Sequence, residues 1–249
     1  MDLGLQGKIA LLTGASRGLG FATAKVLAQE GVRIAINARD EERLSAAGDE
    51  LTKTGADVIS LPGDVTDPET PEKLVGATLA VLGGLDLLFT NAGGPPPASF
   101  EEISDQTWGE AIELSFMSHV RLIRAALPLL KGSSTPSVLT VTSISIKQPI
   151  PNLVLSNSIR AATAGLTKTL ALELGAAGIR FNSILPSWTQ TERVENLLED
   201  RAERKGSSLQ EEIESQNEQS PLGRMADPEE FARAAAFLLS PAASYLTGV

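Results

Sequence analysis

Ser156 and Arg160 stand four residues apart in "LSNSIRAATAG" (155–165), a small-residue segment that reads as the opening of a long helix. At that spacing the hydroxyl and the guanidinium share one helical face, one turn from each other. Two readings stay open: a piece of chemistry, or an ordinary solvated helix start. A second stretch, "TGASRGLG" (13–20), lies between an apolar run and a helical pattern. Its Gly14, Gly18 and Gly20 permit a tight turn and close backbone approach, and the helix that follows offers free N–H groups to a phosphate. The same residues match G-x-S-x-G through Gly14, Ser16 and Gly18, the pattern of a hydrolase nucleophile elbow. Such a serine needs a base, and the chain's one histidine is His119. An elbow also normally follows several strands, whereas this loop follows the first. The phosphate cradle is the preferred reading.

What positions these residues is an alternation of short apolar runs with amphipathic helices. The runs "KIALLT" (8–13), "VRIAIN" (32–37), "DVISL" (57–61), "LDLLF" (85–89), "SVLTVT" (137–142) and "IRFNSIL" (179–185) read as strands buried on both faces. Helices are expected near 18–30, 40–54, 69–82, 107–131, 153–176, 191–218 and 227–240. Strand–helix alternation with such connections means a parallel sheet flanked by helices. The expected fold class is α/β, a Rossmann-type doubly wound sheet in three αβα layers, with residues 1–249 as one domain. A Gly/Pro loop, "NAGGPPPASF" (91–100), falls on the side where such sheets bind ligands. Residues 191–219 carry nine acidic and four basic side chains beside an apolar stripe. They read as a helical flap at about 188–220, either a substrate lid or a solvated helical pair.

The 249 residues carry 31 acidic and 21 basic side chains, a net charge of −10, which argues against a broad nucleic-acid surface. No cysteine is present, so disulfides and thiolate metal sites are excluded, and one histidine excludes a multi-histidine metal site. No apolar run is long enough for a membrane helix, and "MDLGLQGK" lacks the features of a secretion signal. A cytoplasmic protein without metal is expected.

"TGASRGLG", "GDV" (63–65), "NAGG" (91–94), "VTS" (141–143) and "LPSWTQT" (185–191) come in an order and spacing that resemble the short-chain dehydrogenases/reductases. Residues 221–248 resemble the tail of that family's 3-oxoacyl-carrier-protein reductase-like members. The resemblance spans essentially the whole chain. It implies a nicotinamide cofactor whose pyrophosphate and ribose meet Gly14, Ser16, Gly18, Leu19 and Gly20. It places the adenine on Asp64 and Val65, the adenosine ribose beside Asn91, Ala92 and Gly93, and the nicotinamide beside Pro186, Thr189 and Thr191. Helices 107–131 and 153–176 are then expected to pair across a homo-oligomer interface (dimer or tetramer). A further strand is expected near the C-terminus.

Cofactor choice is read from the end of the second strand. An NAD site usually carries an acid there, on the ribose 2′-hydroxyl. Here the strand runs into "NARD" (37–40), so Arg39 and the loop's Arg17 favour the 2′-phosphate of NADP(H) over NAD(H). Asp40 reads as a helix cap for "EERL".

The family's reaction moves a hydride between nicotinamide and a carbonyl or alcohol carbon. In the resemblance a serine polarises the carbonyl, a tyrosine gives the proton, a lysine lowers that tyrosine's pKa and an asparagine helps hold a proton path. Ser143 falls on the serine. The other three positions carry Ser156, Arg160 and Ser115. The chain's one tyrosine, Tyr245, is remote and is expected in the core or an interface. A serine hydroxyl is a far weaker acid than tyrosine, and arginine does not exchange its proton in the useful range. Arg160 can still bond the nicotinamide ribose and steady an oxyanion. His119 and Lys147 are possible substitute donors, though a packing histidine and a solvent-facing lysine are the commoner outcomes. The expectation is an NADP(H)-dependent oxidoreductase for a small carbonyl or alcohol substrate with an altered catalytic set. The alternative is an NAD(P)-binding sensor or assembly subunit without turnover.

Overall fold

The computed structural model describes residues Met1–Val249. Six parallel strands form one sheet in the order β3-β2-β1-β4-β5-β6: β1 (Ile9–Thr13), β2 (Arg33–Ala38), β3 (Val58–Pro62), β4 (Leu87–Thr90), β5 (Ser137–Val141) and β6 (Arg180–Ile184). The period of two along each strand divides the core. Ala10 and Leu12, Ile34 and Ile36, and Leu87 and Phe89 face one apolar cluster. Leu11, Ala35 and Leu88 between them face the other. Helices α1 (Gly18–Gln29), α2 (Glu41–Thr52) and α9 (Pro228–Leu239) cover the first face through Leu27, Leu44 and Phe231. Helices α3 (Thr70–Leu82), α5 (Ser118–Gly132) and α6 (Val154–Leu174) cover the second through Leu74, Leu122 and Ala171. Both faces are therefore buried, as the nearly all-apolar strands required. The expected three-layer α/β fold is what the chain adopts.

Two predicted helices are divided. The helix expected over 107–131 runs as α4 (Asp105–Ile112), a π-helical turn (Glu113–Met117) and α5. Such turns concentrate at functional sites. The segment expected over 191–218 splits at Gly206 (φ 71°) into α7 (Glu192–Lys205) and α8 (Leu209–Glu218). Ser208 caps α8, and the buried Glu212 bonds Lys205 (3.0 Å) and Ser207 (2.8 Å), fixing the corner.

At the far edge of the sheet, Gly248 N–H donates to Phe181 O (2.7 Å) and Ser183 N–H to Val249 O (2.8 Å), so the last residues lie along β6. Tyr245 is 99 % exposed, which corrects the expectation that it could belong to the core. No helix is long and apolar enough to cross a membrane.

Candidate functional site

The chain order reverses between β1 and β4, and the strand ends there open a crevice. A cleft of about 820 Å³ lies along it. Its floor is the loop between β1 and α1. Gly14 (φ 58°) and Gly18 (φ 57°) hold left-handed backbone that a Cβ would strain. Gly20 does not line the cleft. A Cβ there would collide with the Gly14 carbonyl, 2.9 Å from its carbon and 3.0 Å from Ala15 Cα. Its bareness lets α1 pack onto the loop, which aims the α1 N-terminus at the cleft. Arg17, the N-cap, makes no side-chain cap bond, so the first-turn N–H groups stay available.

Asn91 bolts the next strand end to this loop. Its Nδ2 donates to Gly14 O (3.1 Å), its N–H donates to Thr13 Oγ1 (3.1 Å), and Thr13 Oγ1 donates to Asn91 O (2.8 Å). Val65, Ala92 and Gly93 continue the wall, with Ser16 and Leu19 on the loop side. The bareness of the glycines and the unsatisfied helix start fit a nucleotide's phosphates.

At one end three guanidinium groups converge. Arg39 lies 3.5 Å from Asp64, Arg43 lies 3.4 Å from Asp40 and 3.5 Å from Glu192, and Arg17 pairs with Glu192. Burial pushes the Asp64 carboxyl up, but hydrogen bonds from Thr66 and the charge of Arg39 outweigh it and hold it below the ordinary carboxylate range. Asp40 accepts from Arg43 N–H (3.0 Å), so it caps α2 as expected. Arg43 is missing from the sequence reading. Its only signal was its place one turn into that capped helix, which brings its side chain back over the strand end.

At the other end stand Ser143, Ser156 and Arg160; Pro186 and Thr189 also line the cleft, and Thr191 lies against Gly18 of the glycine loop. Ser156 is 7 % exposed and Arg160 8 %, so the solvated helix start is excluded. The α6 start is held by Asn157, whose Nδ2 donates to Ile150 O (3.0 Å) and whose Oδ1 accepts from Ile150 N–H (3.4 Å). The α6 face that meets β5 is polar, with Thr140 and Thr167 hydroxyls 2.9 Å apart. About two turns nearer the cleft, Arg160 Nη1 donates to Val141 O (3.0 Å) and Thr142 O (3.2 Å). Burial, and then the charge of Arg193, lowers Arg160 to about 10, so it remains a cation at neutral pH. Ser143 Oγ accepts from Ser145 N–H (3.1 Å), which leaves its own proton free to be donated.

Ser115 is not brought to the cleft. It lies in the π-helical turn, 1 % exposed, with its hydroxyl unpartnered and its carbonyl accepting from Thr163 Oγ1 (2.8 Å). His119 is likewise buried at 2 % exposure, its Nδ1 2.7 Å from Thr90 Oγ1. No hydrogen bond joins it to Ser16, so the elbow serine lacks its base. Lys147 is solvent-facing. Arg193, Trp188, Gly94 and Leu197 also line the cleft. Of these Trp188 and Gly94 fell within motifs, and nothing in the spacing marked Arg193.

Burial, and then the Arg160 charge, lowers the His119 pKa from 6.5 to about 3. The unfolded chain takes up this proton near 6.5 and the folded chain does not until about 3, so stability is lost as pH is lowered from about 6.5 towards about 3 and is unaffected above that window. Thermal unfolding at pH 5 and pH 7.5 should show a smaller acid loss in His119→Gln than in the parent. Equal losses would contradict the neutral buried imidazole.

Residues 14–249 match the family described as enoyl-(acyl carrier protein) reductase. The chain is 32 % identical over 245 residues to 2,5-dichloro-2,5-cyclohexadiene-1,4-diol dehydrogenase of Sphingobium indicum, covering 98 % of this chain and 94 % of that one. L-sorbose reductase from Gluconobacter frateurii, solved with NADPH and L-sorbose, superposes with a TM-score of 0.94 at 33 % identity over 100 % of this chain and 95 % of that one. An NADPH-bound short-chain oxidoreductase from Pseudomonas aeruginosa, described as containing an atypical catalytic center, has a TM-score of 0.88 at 34 % identity, over 98 % and 94 %.

Proposed function

The chain belongs to the short-chain dehydrogenase/reductase family, and from that membership we propose an NADP(H)-dependent oxidoreductase that interconverts a carbonyl and an alcohol with Ser156 and Arg160 in place of the family's tyrosine and lysine. The observation that carries this reading is the meeting of Ser143, Ser156 and Arg160 at one end of a cleft whose other end holds a bare glycine loop and three arginines. The cofactor, when bound, supplies the hydride and leaves oxidised. The glycine loop and the α1 start hold its pyrophosphate, and Arg17, Arg39 and Arg43 hold the 2′-phosphate. Ser143 donates a hydrogen bond to the substrate oxygen. Arg160 steadies the negative charge that develops there and bonds the ribose. Ser156 passes a proton from water, as a relay rather than as an acid of tuned pKa. Ser115, sealed beneath this surface, takes no direct part.

Thr191 caps α7, and Trp188, Val194 and Leu197 bring the flap to the substrate end, which supports a lid role for residues 188–220. Arg201 sits 4.7 Å over the Trp188 ring and ties the lid's hinge to its helix. Exposed Ile112 and Leu172 on α4 and α6 support pairing of two copies through those helices.

Nicotinamide fluorescence titrations test the cofactor assignment. NADPH should bind at least about tenfold more tightly than NADH, and Arg39→Ala should remove most of that preference, as loss of one charge-assisted phosphate contact predicts. Equal weakening of both cofactors in Arg39→Ala would count against it. Tight NADPH binding without turnover on any carbonyl favours the sensor or assembly subunit instead.

A further inference from the structure

The charges along the cleft are unevenly matched. Its three acids, Asp40, Asp64 and Glu192, all stand at the adenosine end, each beside an arginine. The substrate end holds only Arg160 and Arg193, and neither has a carboxylate within 4.0 Å. Arg160 is more than nine-tenths buried, with Nη1 on the Val141 and Thr142 carbonyls and no protein acceptor for Nε or Nη2. Arg193 enters from α7. Its Nη2 donates to Pro95 O (2.6 Å), and its Nε and Nη1 have no protein acceptor. Gly94 makes room for it, since a Cβ there would lie 2.7–3.0 Å from the guanidinium.

A buried cation and a half-buried one lining the same cleft, matched only by carbonyl dipoles, are an unfavourable arrangement for the empty protein. They repel, which is why Arg193 adds to burial in lowering Arg160. A net charge of −10 means that no general excess of cations explains them. An anion at Arg193 would satisfy its free N–H groups within the field of Arg160, and a guanidinium fork matches a carboxylate in two parallel bonds. The surrounding wall is apolar, from Leu114, Ile150, Leu153, Trp188 and Leu197.

We infer that Arg160 and Arg193 form a carboxylate clamp in which Arg193 supplies the bonds and Arg160, whose own N–H groups serve the ribose and the reacting oxygen, supplies charge, and that the substrate is an oxo acid, or the matching hydroxy acid, with a short hydrocarbon chain. The inference rests on the oxidoreductase reading for the reacting carbonyl but not for the carboxylate. Arg193 arrives with α7, so closing the lid on an acid completes the clamp, whereas a neutral ketone leaves the Arg193 guanidinium without an anionic partner.

The test is calorimetric binding of straight-chain oxo acids of three to eight carbons and their methyl esters, with inorganic phosphate as a third ligand, to the protein with and without NADP+. At least one acid should bind about tenfold or more tightly than its ester and more tightly than phosphate. Arg193→Met should collapse the acid-over-ester ratio, and Arg193→Lys should restore part of it. In steady-state assays the same ratio should appear in KM. No acid exceeding its ester overturns the clamp, as does a ratio that survives Arg193→Met, and tighter phosphate binding overturns the carboxylate assignment. Failure of the oxidoreductase reading looks different: NADPH does not bind, while acid recognition by the cofactor-free protein persists.

Discussion

Gly20→Ala raises the NADPH dissociation constant about a hundredfold or more and destabilises the protein by about 3 kcal/mol. The added Cβ meets backbone, the Gly14 carbonyl and Ala15 Cα, and no side chain can swing away to admit it. Overpacking against a fixed backbone typically costs about 1–3 kcal/mol. Relief requires the α1 start to move off the loop, which misaims the N–H groups meant for the pyrophosphate. Losing two charge-assisted bonds at about 1.5–3 kcal/mol each corresponds to roughly 10²-fold or more in affinity. Cofactor titration and chemical denaturation check the two effects separately. Gly93→Ala is the control: a Cβ there meets nothing within 4 Å, and it should leave stability within about 0.5 kcal/mol of the parent. Unchanged NADPH affinity in Gly20→Ala would mean that the loop does not carry the pyrophosphate.

Ser156→Tyr combined with Arg160→Lys raises reductase kcat on a neutral aldehyde or ketone by roughly 10²–10⁴-fold, the usual worth of a positioned general acid. Tyrosine, with a pKa near about 10, is brought towards neutrality by an adjacent cation, whereas the serine hydroxyl is not. The gain should be pH-dependent, with a new ionisation absent from the parent profile. Neither single substitution should reach the full gain, since Ser156→Tyr keeps a cation that exchanges no proton and Arg160→Lys has no acid to tune. A fall in activity in the double variant would show that serine and arginine belong to a different proton path.

The fold was legible because its signals are local and repeated. Most strands are short, mainly apolar runs of about the right length, and several connections carry a cap or glycine, as at Asp40 before α2 and Gly83 after α3. The glycine loop was legible for the same reason: strand, turn and helix start lie within a dozen residues. The substrate end was only half legible. Ser143 and Ser156 could be located because the resemblance fixes their spacing. Arg193 and Arg43 could not, because their positions depend on how α7 crosses the cleft and how α2 leans over β2, and neither angle is written in residue order. Ser115 is the opposite case: the resemblance puts it at the asparagine position, whereas in the fold it lies in the π-helical turn with its carbonyl accepting from Thr163 and its hydroxyl buried without a partner.

Isotope transfer addresses the proposed Ser143, Ser156 and Arg160 set most directly. The protein is incubated with NADPH carrying deuterium at the transferring position of the nicotinamide and with a panel of aldehydes, ketones and oxo acids. Products are read by mass spectrometry and NMR. The account predicts deuterium on the carbinol carbon of at least one product, over many turnovers, at a rate that falls in Ser143→Ala. Saturable NADPH binding with no deuterium in any product would contradict it.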